Sequence, residues 1–256
     1  MTSRFISAVA LYGPKAEPVR GFLADVQELV AEHVGDGFRP YSPEQMHGTI
    51  IAFNGVPDPD SGAIVNEYYL EHSGARLEMD VDLAMRILTD HFAGPLRVRF
   101  GGCRPEDEPS FLSRGWHPFE RAFSVQGNAF VLIGWPTAAG RPLDRLRRDM
   151  NAANVLHRYH RRQGDVDDDF YLVVGHHADA PAGALGRAVR SVREKLAADP
   201  IEIEIGADDV KIVAADSHTL APPLFVGDIP VAASTLLAFA PDGTADASGA
   251  VAHHPR

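Results

Sequence analysis

Short apolar runs of the β-strand type alternate with amphipathic segments of helical spacing along most of this chain. The clearest helix is predicted over residues 18–34, where apolar side chains recur every three or four positions and Gly35 follows. Strands are predicted at 5–12, 46–53, 96–100, 123–125, 129–135, 170–175, 201–205 and 210–214, and further helices at 80–92, 142–160 and 182–198. A hairpin at Gly127-Asn128 implies antiparallel pairing. The pattern predicts an α/β fold of the α+β class, with residues 54–74 as a surface excursion.

One order of elements occurs twice in the sequence. A strand, a helix, a loop and a second strand are predicted before Asn54, and a strand hairpin, a helix, a loop and a strand from Phe123 to Gly175. Two similar lobes are therefore predicted, with antiparallel-rich sheets, helices outside and the inner strands side by side. We expect one bilobal domain over residues 1–240 and a flexible tail over 241–256 that adds little to stability.

Length and charge restrict the classes of function. A chain of 256 residues can bury a substantial core, and its net charge of −11 argues against a protein that coats long nucleic acids. No apolar run is long enough to span a membrane, and the start of the chain lacks a signal peptide. With Cys103 as the single cysteine, no internal disulfide can form. We therefore expect a cytoplasmic protein that does not bind membranes.

Positive charge is concentrated in one stretch of this acidic chain. Seven arginines lie between Arg141 and Arg162, with only Asp144 and Asp149 as acids in the predicted helix. One interpretation is a basic face for a small phosphorylated ligand; the other is a solvated helix face.

The chemically most informative tripeptide is His47-Gly48-Thr49, at the start of a predicted apolar strand. Residues two apart in a strand point to the same face, so the side chains of His47 and Thr49 should emerge together. An imidazole can move a proton near neutral pH, and a hydroxyl beside it can donate to a phosphate oxygen. A tripeptide of this kind also occurs by chance, and the alternative is a structural histidine that follows a loop.

The segment from Ser42 to Phe53 resembles the first signature of the two-histidine phosphoesterase superfamily, which includes bacterial RNA 2′,5′-ligase-like proteins and 2′,3′-cyclic nucleotide phosphodiesterases. The order of elements from Phe5 to about Phe225 is similar to that family as well. The resemblance implies two lobes, each with a His-x-Thr/Ser motif, that face each other across a cleft. It implies a small nucleotide or a short RNA-like ligand, and neither a cofactor nor a metal.

The second signature departs from the family pattern. By the register of the predicted strand 170–175, Tyr171 stands where the second histidine would be and Val173 where the hydroxyl residue would be. One member of an acid–base pair is thereby lost, and such a group is typically worth about 10² to 10⁴ in rate. The resemblance implies His47 as acid or base, Thr49 as phosphate ligand and Tyr171 as substituted partner. It also suggests phosphate-binding arginines, for which we select Arg145 and Arg148.

Other histidines could replace the missing one. His177 shares strand parity with Tyr171, although it lies about 20 Å away unless the strand bends at Gly175. His218 precedes a threonine directly, without an intervening residue, and a surface loop is the expected place for it.

His157 and His160 lie three apart on a predicted helix, where they could ligate a metal, but no third ligand pattern accompanies them. A polar helix end is the simpler interpretation. His117 is expected on a loop near the cleft, and the acidic residues 165–169 are expected to form a solvated turn.

Three classes of function remain. The first is a metal-independent phosphodiesterase that acts on a cyclic phosphate or a short nucleotide. The second is a nucleotide-binding module of the same superfamily without turnover. The third is an unrelated α/β scaffold without a small-molecule site.

Overall fold

The structure is a computed structural model that describes residues 5–239, so the predicted tail over 241–256 lies outside the described residues. The strands are β1 Phe5–Ala10, β2 Phe38–Pro40, β3 Gly48–Ala52, β4 Gly55–Pro57, β5 Ile64–Asn66, β6 Leu96–Phe100, β7 Phe123–Gln126, β8 Ala129–Pro136, β9 Phe170–His177, β10 Ile201–Ile205, β11 Val210–Ala215 and β12 Pro223–Asp228. The helices are α1 Val19–Val34, α2 Glu67–Ser73, α3 Val81–His91, α4 Pro118–Arg121, α5 Pro142–Asp149, α6 Ala182–Ala198 and α7 Ala233–Leu237. The α+β class is confirmed.

The described strands form one ten-stranded sheet and a separate β4–β5 hairpin. The long path of the sheet runs β10-β6-β8-β9-β3-β1-β11-β12, with β2 beside β9 and β7 beside β8, and every pairing is antiparallel. The predicted strands 46–53 and 170–175 correspond to β3 and β9, which are neighbours at its centre, and β9 extends two residues beyond the prediction. The two predicted sheets are therefore the two halves of one sheet, joined where β3 meets β9.

The two halves repeat one irregularity at equivalent places. In the β1–β3 pair, Ile50 is an extra residue that forms a β-bulge, two residues after Gly48. In the β8–β9 pair, Val174 is the extra residue, two residues after Leu172. Because Gly48 pairs with Leu172 at the centre of the sheet, the two bulges are related by an approximate two-fold axis through that pair.

Helices α1 and α6 pack against each other and bury one apolar stripe each. The α1 stripe contains Leu23, Val26 and Val30, as the spacing of the sequence predicts, and Gly35 ends the helix with a positive φ of 61°. Within residues 5–239, no helix is long and apolar enough to cross a membrane.

Two predicted segments differ from the structure, and β2, α4, β12 and α7 were not predicted. The helix predicted over 142–160 is shorter, because α5 ends at Asp149 and the following 3₁₀ turn stops at Asn154, which has a left-handed φ of 56°. The predicted excursion 54–74 contains β4, β5 and α2. The side chain of buried Asn66 accepts a hydrogen bond from the Tyr69 backbone N–H and so caps α2.

The contact between β3 and β9 requires a residue without a side chain at position 48. A Cβ atom on Gly48 would lie 2.2 Å from Cζ of the Phe170 ring, which is fully buried. The aromatic ring therefore fills the volume that a side chain at position 48 would occupy.

We expect Gly48→Ala to lower the free energy of unfolding by about 1–3 kcal/mol, since overpacking a closed core forces side chains and backbone to shift. The melting temperature should fall by about 3–10 °C, measured by circular dichroism. Gly186→Ala is the matched control, because a Cβ atom there meets open space on α6. Equal melting temperatures for both variants would contradict the steric account.

Candidate functional site

A cleft of about 1070 Å³ lies over the junction of β3 and β9. Its floor includes His47, Thr49, Tyr171 and Val173. These four side chains share one face because they flank the central pair of Gly48 with Leu172, and the Leu172 side chain points to the opposite, buried face. The structure thus brings the predicted pair and the residues of the second, altered signature together.

His47 is held by its Nδ1 atom, which lies 2.7 Å from the carbonyl oxygen of Gln45. A carbonyl oxygen only accepts, so Nδ1 carries the proton and Nε2 carries the lone pair of the neutral ring. Burial lowers the pKa of His47 below its ordinary value, and the nearby charge of Lys15 acts in the same direction. The Tyr12 ring packs against the imidazole, with 5.7 Å between ring centroids. His47 is therefore a neutral proton acceptor near pH 7.

Tyr171 lies beside Thr49 on the neighbouring strand, and Val173 lies beside His47, as the antiparallel register of the Gly48–Leu172 pair requires. Burial raises the pKa of Tyr171 to about 12. Its phenol is thus protonated across the physiological range and can donate a hydrogen bond or a proton.

The two arginines selected from the sequence as phosphate ligands lie away from the lining of this cleft. Arg145 is exposed on α5, where Nη2 donates to the carbonyl of Gly140 at 3.3 Å. Arg148 is engaged by Asp144, with Nε 2.8 Å from the carboxylate, and by the carbonyl oxygens of Gln163 and Asp165. The arginines that line the cleft are Arg114, Arg147 and Arg158.

Arg147 is buried, with 2% of its surface exposed, and every hydrogen bond of its guanidinium connects elements of the site. It donates to the carbonyl oxygens of Thr49 at 3.1 Å and Ile50 at 3.0 Å on β3. It also donates to the carbonyl oxygens of Asp167 at 2.9 Å and Asp169 at 3.1 Å, and to the Asp167 carboxylate at 3.2 Å. Arg147 therefore fixes β3 against the segment that enters β9.

Asp169, the residue before β9, also holds this segment in place through its carboxylate. Its carboxylate accepts hydrogen bonds from Ser113 Oγ at 2.7 Å, Trp135 Nε1 at 2.8 Å and Arg121 Nη2 at 2.7 Å. These contacts attach the loop before α4 to the strand that carries Tyr171.

Arg114 and Arg158 supply positive charge to one end of the cleft. The Arg114 guanidinium carbon lies 3.7 Å from the centroid of the Tyr159 ring, and that of Arg158 lies 5.1 Å from it, in cation–π contact. Within residues 5–239, no carboxylate forms an ion pair with either side chain. This end of the cleft is suited to an anion beside an aromatic surface.

The two histidines considered as metal ligands are engaged with acids instead. His157 Nε2 lies 2.6 Å from the Asp167 carboxylate, and His160 Nε2 lies 2.9 Å from that of Asp144. Burial lowers the pKa of His157 to about 3, so its ring is neutral. In the described part of the chain, no group of three or more His, Cys, Asp or Glu side chains is placed to hold a metal ion.

The bulge at Val174 reverses the parity of β9, so that His176 rather than His177 lies on the cleft face. The Nε2 atom of His176 lies 3.2 Å from the Tyr41 hydroxyl, which also lines the cleft. His177 points to the other face and contacts Phe130, with 5.8 Å between ring centroids. Gly175 marked this position in the sequence, but a glycine alone does not reveal which residue of a strand is the extra one.

Two further histidines were expected on loops. His218 lies on the loop between β11 and β12 but lines the cleft, which the sequence did not predict. His117 caps α4: its Nδ1 accepts from the Phe119 backbone N–H at 3.1 Å, and Nε2 lies 3.0 Å from the carbonyl oxygen of Asp107. His117 is outside the lining of the cleft.

Comparisons with known proteins add little to this geometry. The chain matches no protein-family model, and no curated protein matches it. One solved structure that it resembles is the crystal structure of TT0787 of Thermus thermophilus, at 16% sequence identity over 88% of this chain and 97% of that chain. The TM-score is 0.37.

Arg147 could have been recognised as buried from the sequence. Leu143 and Leu146 on α5 and Met150 at the start of the following 3₁₀ turn form one apolar stripe, and position 147 lies within it at helical spacing. Arg145 and Arg148 lie outside this stripe.

We expect Arg147→Met to lower the free energy of unfolding by about 3–5 kcal/mol, because the Asp167 carboxylate and four carbonyl oxygens lose their buried donor. Urea unfolding measures this change. Arg145→Met on the same helix is the control and should change stability by less than about 0.5 kcal/mol. A small effect at Arg147 would show that the fold does not depend on its guanidinium.

Proposed function

We propose that the protein is a metal-independent phosphodiesterase that acts on a cyclic phosphate or a short nucleotide phosphodiester. The observation that supports this proposal is the shared cleft face of a neutral His47, with its lone pair on Nε2, and a protonated Tyr171. A proton acceptor and a proton donor beside the Thr49 hydroxyl are the groups that phosphodiester hydrolysis needs.

In the proposed reaction, His47 Nε2 removes a proton from a water molecule as its oxygen attacks phosphorus. The bond from phosphorus to the leaving oxygen breaks, and the Tyr171 phenol donates its proton to that oxygen. The Thr49 hydroxyl and the Arg158 guanidinium bind the non-bridging oxygens and stabilise the developing charge. Solvent then returns the proton from the His47 imidazolium to the Tyr171 phenolate, which completes the cycle.

The size and lining of the cleft support a nucleotide as ligand. Its volume of about 1070 Å³ is at the upper end of the range for small-molecule sites. Tyr68 and Tyr159 offer aromatic faces for a base. Arg158 lies close enough to Tyr171 to lower the pKa of its phenol, although burial raises that pKa by more. The amide side chain of exposed Asn128 can bind the polar edge of a base.

The second candidate is a nucleotide-binding module without turnover. It is favoured by Val173, an apolar residue beside His47 in the place of a hydroxyl, and by the high pKa of Tyr171, which makes it a slow proton donor. Binding of a nucleoside 2′,3′-cyclic monophosphate without its hydrolysis would support this alternative.

We expect His47→Ala to lower the rate of hydrolysis of a nucleoside 2′,3′-cyclic monophosphate by about 10² or more, the usual cost of a positioned acid or base. Tyr171→Phe should cause a loss of similar size if the phenol donates the proton, and a small loss if it only packs. Chromatography of the reaction products measures both. His33→Ala on α1, outside the cleft lining, is the control. Full activity of His47→Ala would overturn the proposal.

The pH dependence separates this acid–base pair from a pair of histidines. The rate should fall at acidic pH, as His47 is protonated and loses its lone pair, with a midpoint below 6.5 because burial lowers its pKa. Between about pH 7 and pH 10 the rate should stay level, since the pKa of Tyr171 is raised to about 12. A decline centred near neutral pH on the alkaline side would identify a different proton donor.

A further inference from the structure

The cleft extends well beyond the proposed reaction centre. Along its floor, β9 and the residue before it run from Asp169 to His176, seven residue steps or about 23 Å at the rise of a strand. Arg114 and Arg158 lie near the Asp169 end, and His176 lies at the other end, beyond Val173. A single phosphate at His47 would leave the part of the cleft near His176 unoccupied.

His176 is held in place at that end. The bulge at Val174 turns its ring toward the cleft, and its Nε2 atom lies 3.2 Å from the Tyr41 hydroxyl. The position of Tyr41 is fixed in turn, since its backbone N–H donates to the carbonyl of Val174 at 3.1 Å and its carbonyl accepts from Gln27 Nε2 at 2.8 Å. The ring is thus oriented by the fold, with Nδ1 remaining for a ligand.

The facing wall is the loop of residues 216–222, which carries His218. The Tyr12 hydroxyl donates to the carbonyl of buried Leu220 at 2.8 Å, which attaches this loop to the end of β1. The His218 ring contacts Phe5 edge-on, with 6.1 Å between centroids, and lines the same cleft as His176.

The two imidazoles lie close enough for one to influence the other. Burial lowers the pKa of His176, and the proximity of His218 and His177 lowers it further. Among residues 5–239, no carboxylate contributes to this shift. An anion between the rings can accept a hydrogen bond from an N–H group of each imidazole.

We propose that His176 and His218 form a binding site for a second phosphate group. The ligand would be a nucleotide that carries two separate phosphates, one at His47 and the other between β9 and the loop of residues 216–222. This assignment rests on the proposed function for the nature of the first phosphate, while the second site is defined by its own residues.

Two probes test the site: a nucleoside 2′,3′-cyclic monophosphate and the same compound with an added 5′-phosphate. The wild-type protein should bind the 5′-phosphorylated probe about tenfold more tightly in calorimetry, the usual size of one charge-assisted hydrogen-bonded contact. His176→Gln and His218→Gln should each remove most of this preference and leave the affinity for the other probe unchanged. His33→Gln on α1 should keep the preference.

Equal affinities of the wild-type protein for the two probes would overturn the proposal, as would a preference that persists in both glutamine variants. Hydrolysis of the probes reports on the proposed function separately, so binding preference without turnover would retain the second site and reject the enzyme. If neither probe binds, titration of the wild-type protein with inorganic phosphate decides whether the second phosphate site exists. Shifts of the His176 and His218 side-chain NMR signals would support the site, and unchanged signals would exclude it.

Discussion

The structure depends above all on the guanidinium of Arg147, which lies between the two halves of the sheet. β3 and β9 share a single residue pair, Gly48 with Leu172, whereas β1 and β11 share six. On one side of that pair the strands diverge, and the carbonyl oxygens of β3 and of the segment entering β9 accept hydrogen bonds from Arg147 rather than from backbone N–H groups of the opposite strand. A buried side chain on α5 thus takes the place of the missing ladder hydrogen bonds. The floor of the cleft has its shape because the Arg147 guanidinium donates hydrogen bonds to backbone carbonyl oxygens on both sides.

The approximate two-fold symmetry of the backbone is not matched by symmetric chemistry. The bulges at Ile50 and Val174 are equivalent, but the side chains around them differ between the halves. One inner strand presents an imidazole whose pKa burial lowers, and the other presents a phenol whose pKa burial raises. Burial shifts both groups toward their neutral forms, because a low dielectric disfavours the charged form of each. The same environment therefore leaves a neutral proton acceptor just before β3 and a neutral proton donor on β9.

The sequence predicted the part of the site that depends on strand alternation alone. His47 and Thr49 share a face, and Tyr171 lies across from them, since side chains two apart in a strand point the same way. The bulge at Val174 interrupts this alternation, and no residue type marks it reliably, so the sequence favoured His177 where the structure places His176. The arginines were misplaced for another reason. A count of charges does not distinguish a solvated helix face from the buried stripe in which Arg147 lies.

The close approach of Phe170 to Gly48 has a consequence for how the His-Gly-Thr tripeptide can vary. The middle residue has no role in the proposed reaction, and in a motif written His-x-Thr it would be treated as free to change. Here it is the most restricted of the three, because an aromatic ring from the other half of the sheet occupies the volume of its side chain. In any protein that shares this backbone, a larger residue at position 48 requires a smaller one at position 170. The two positions should covary across a family, although they are 122 residues apart in the sequence.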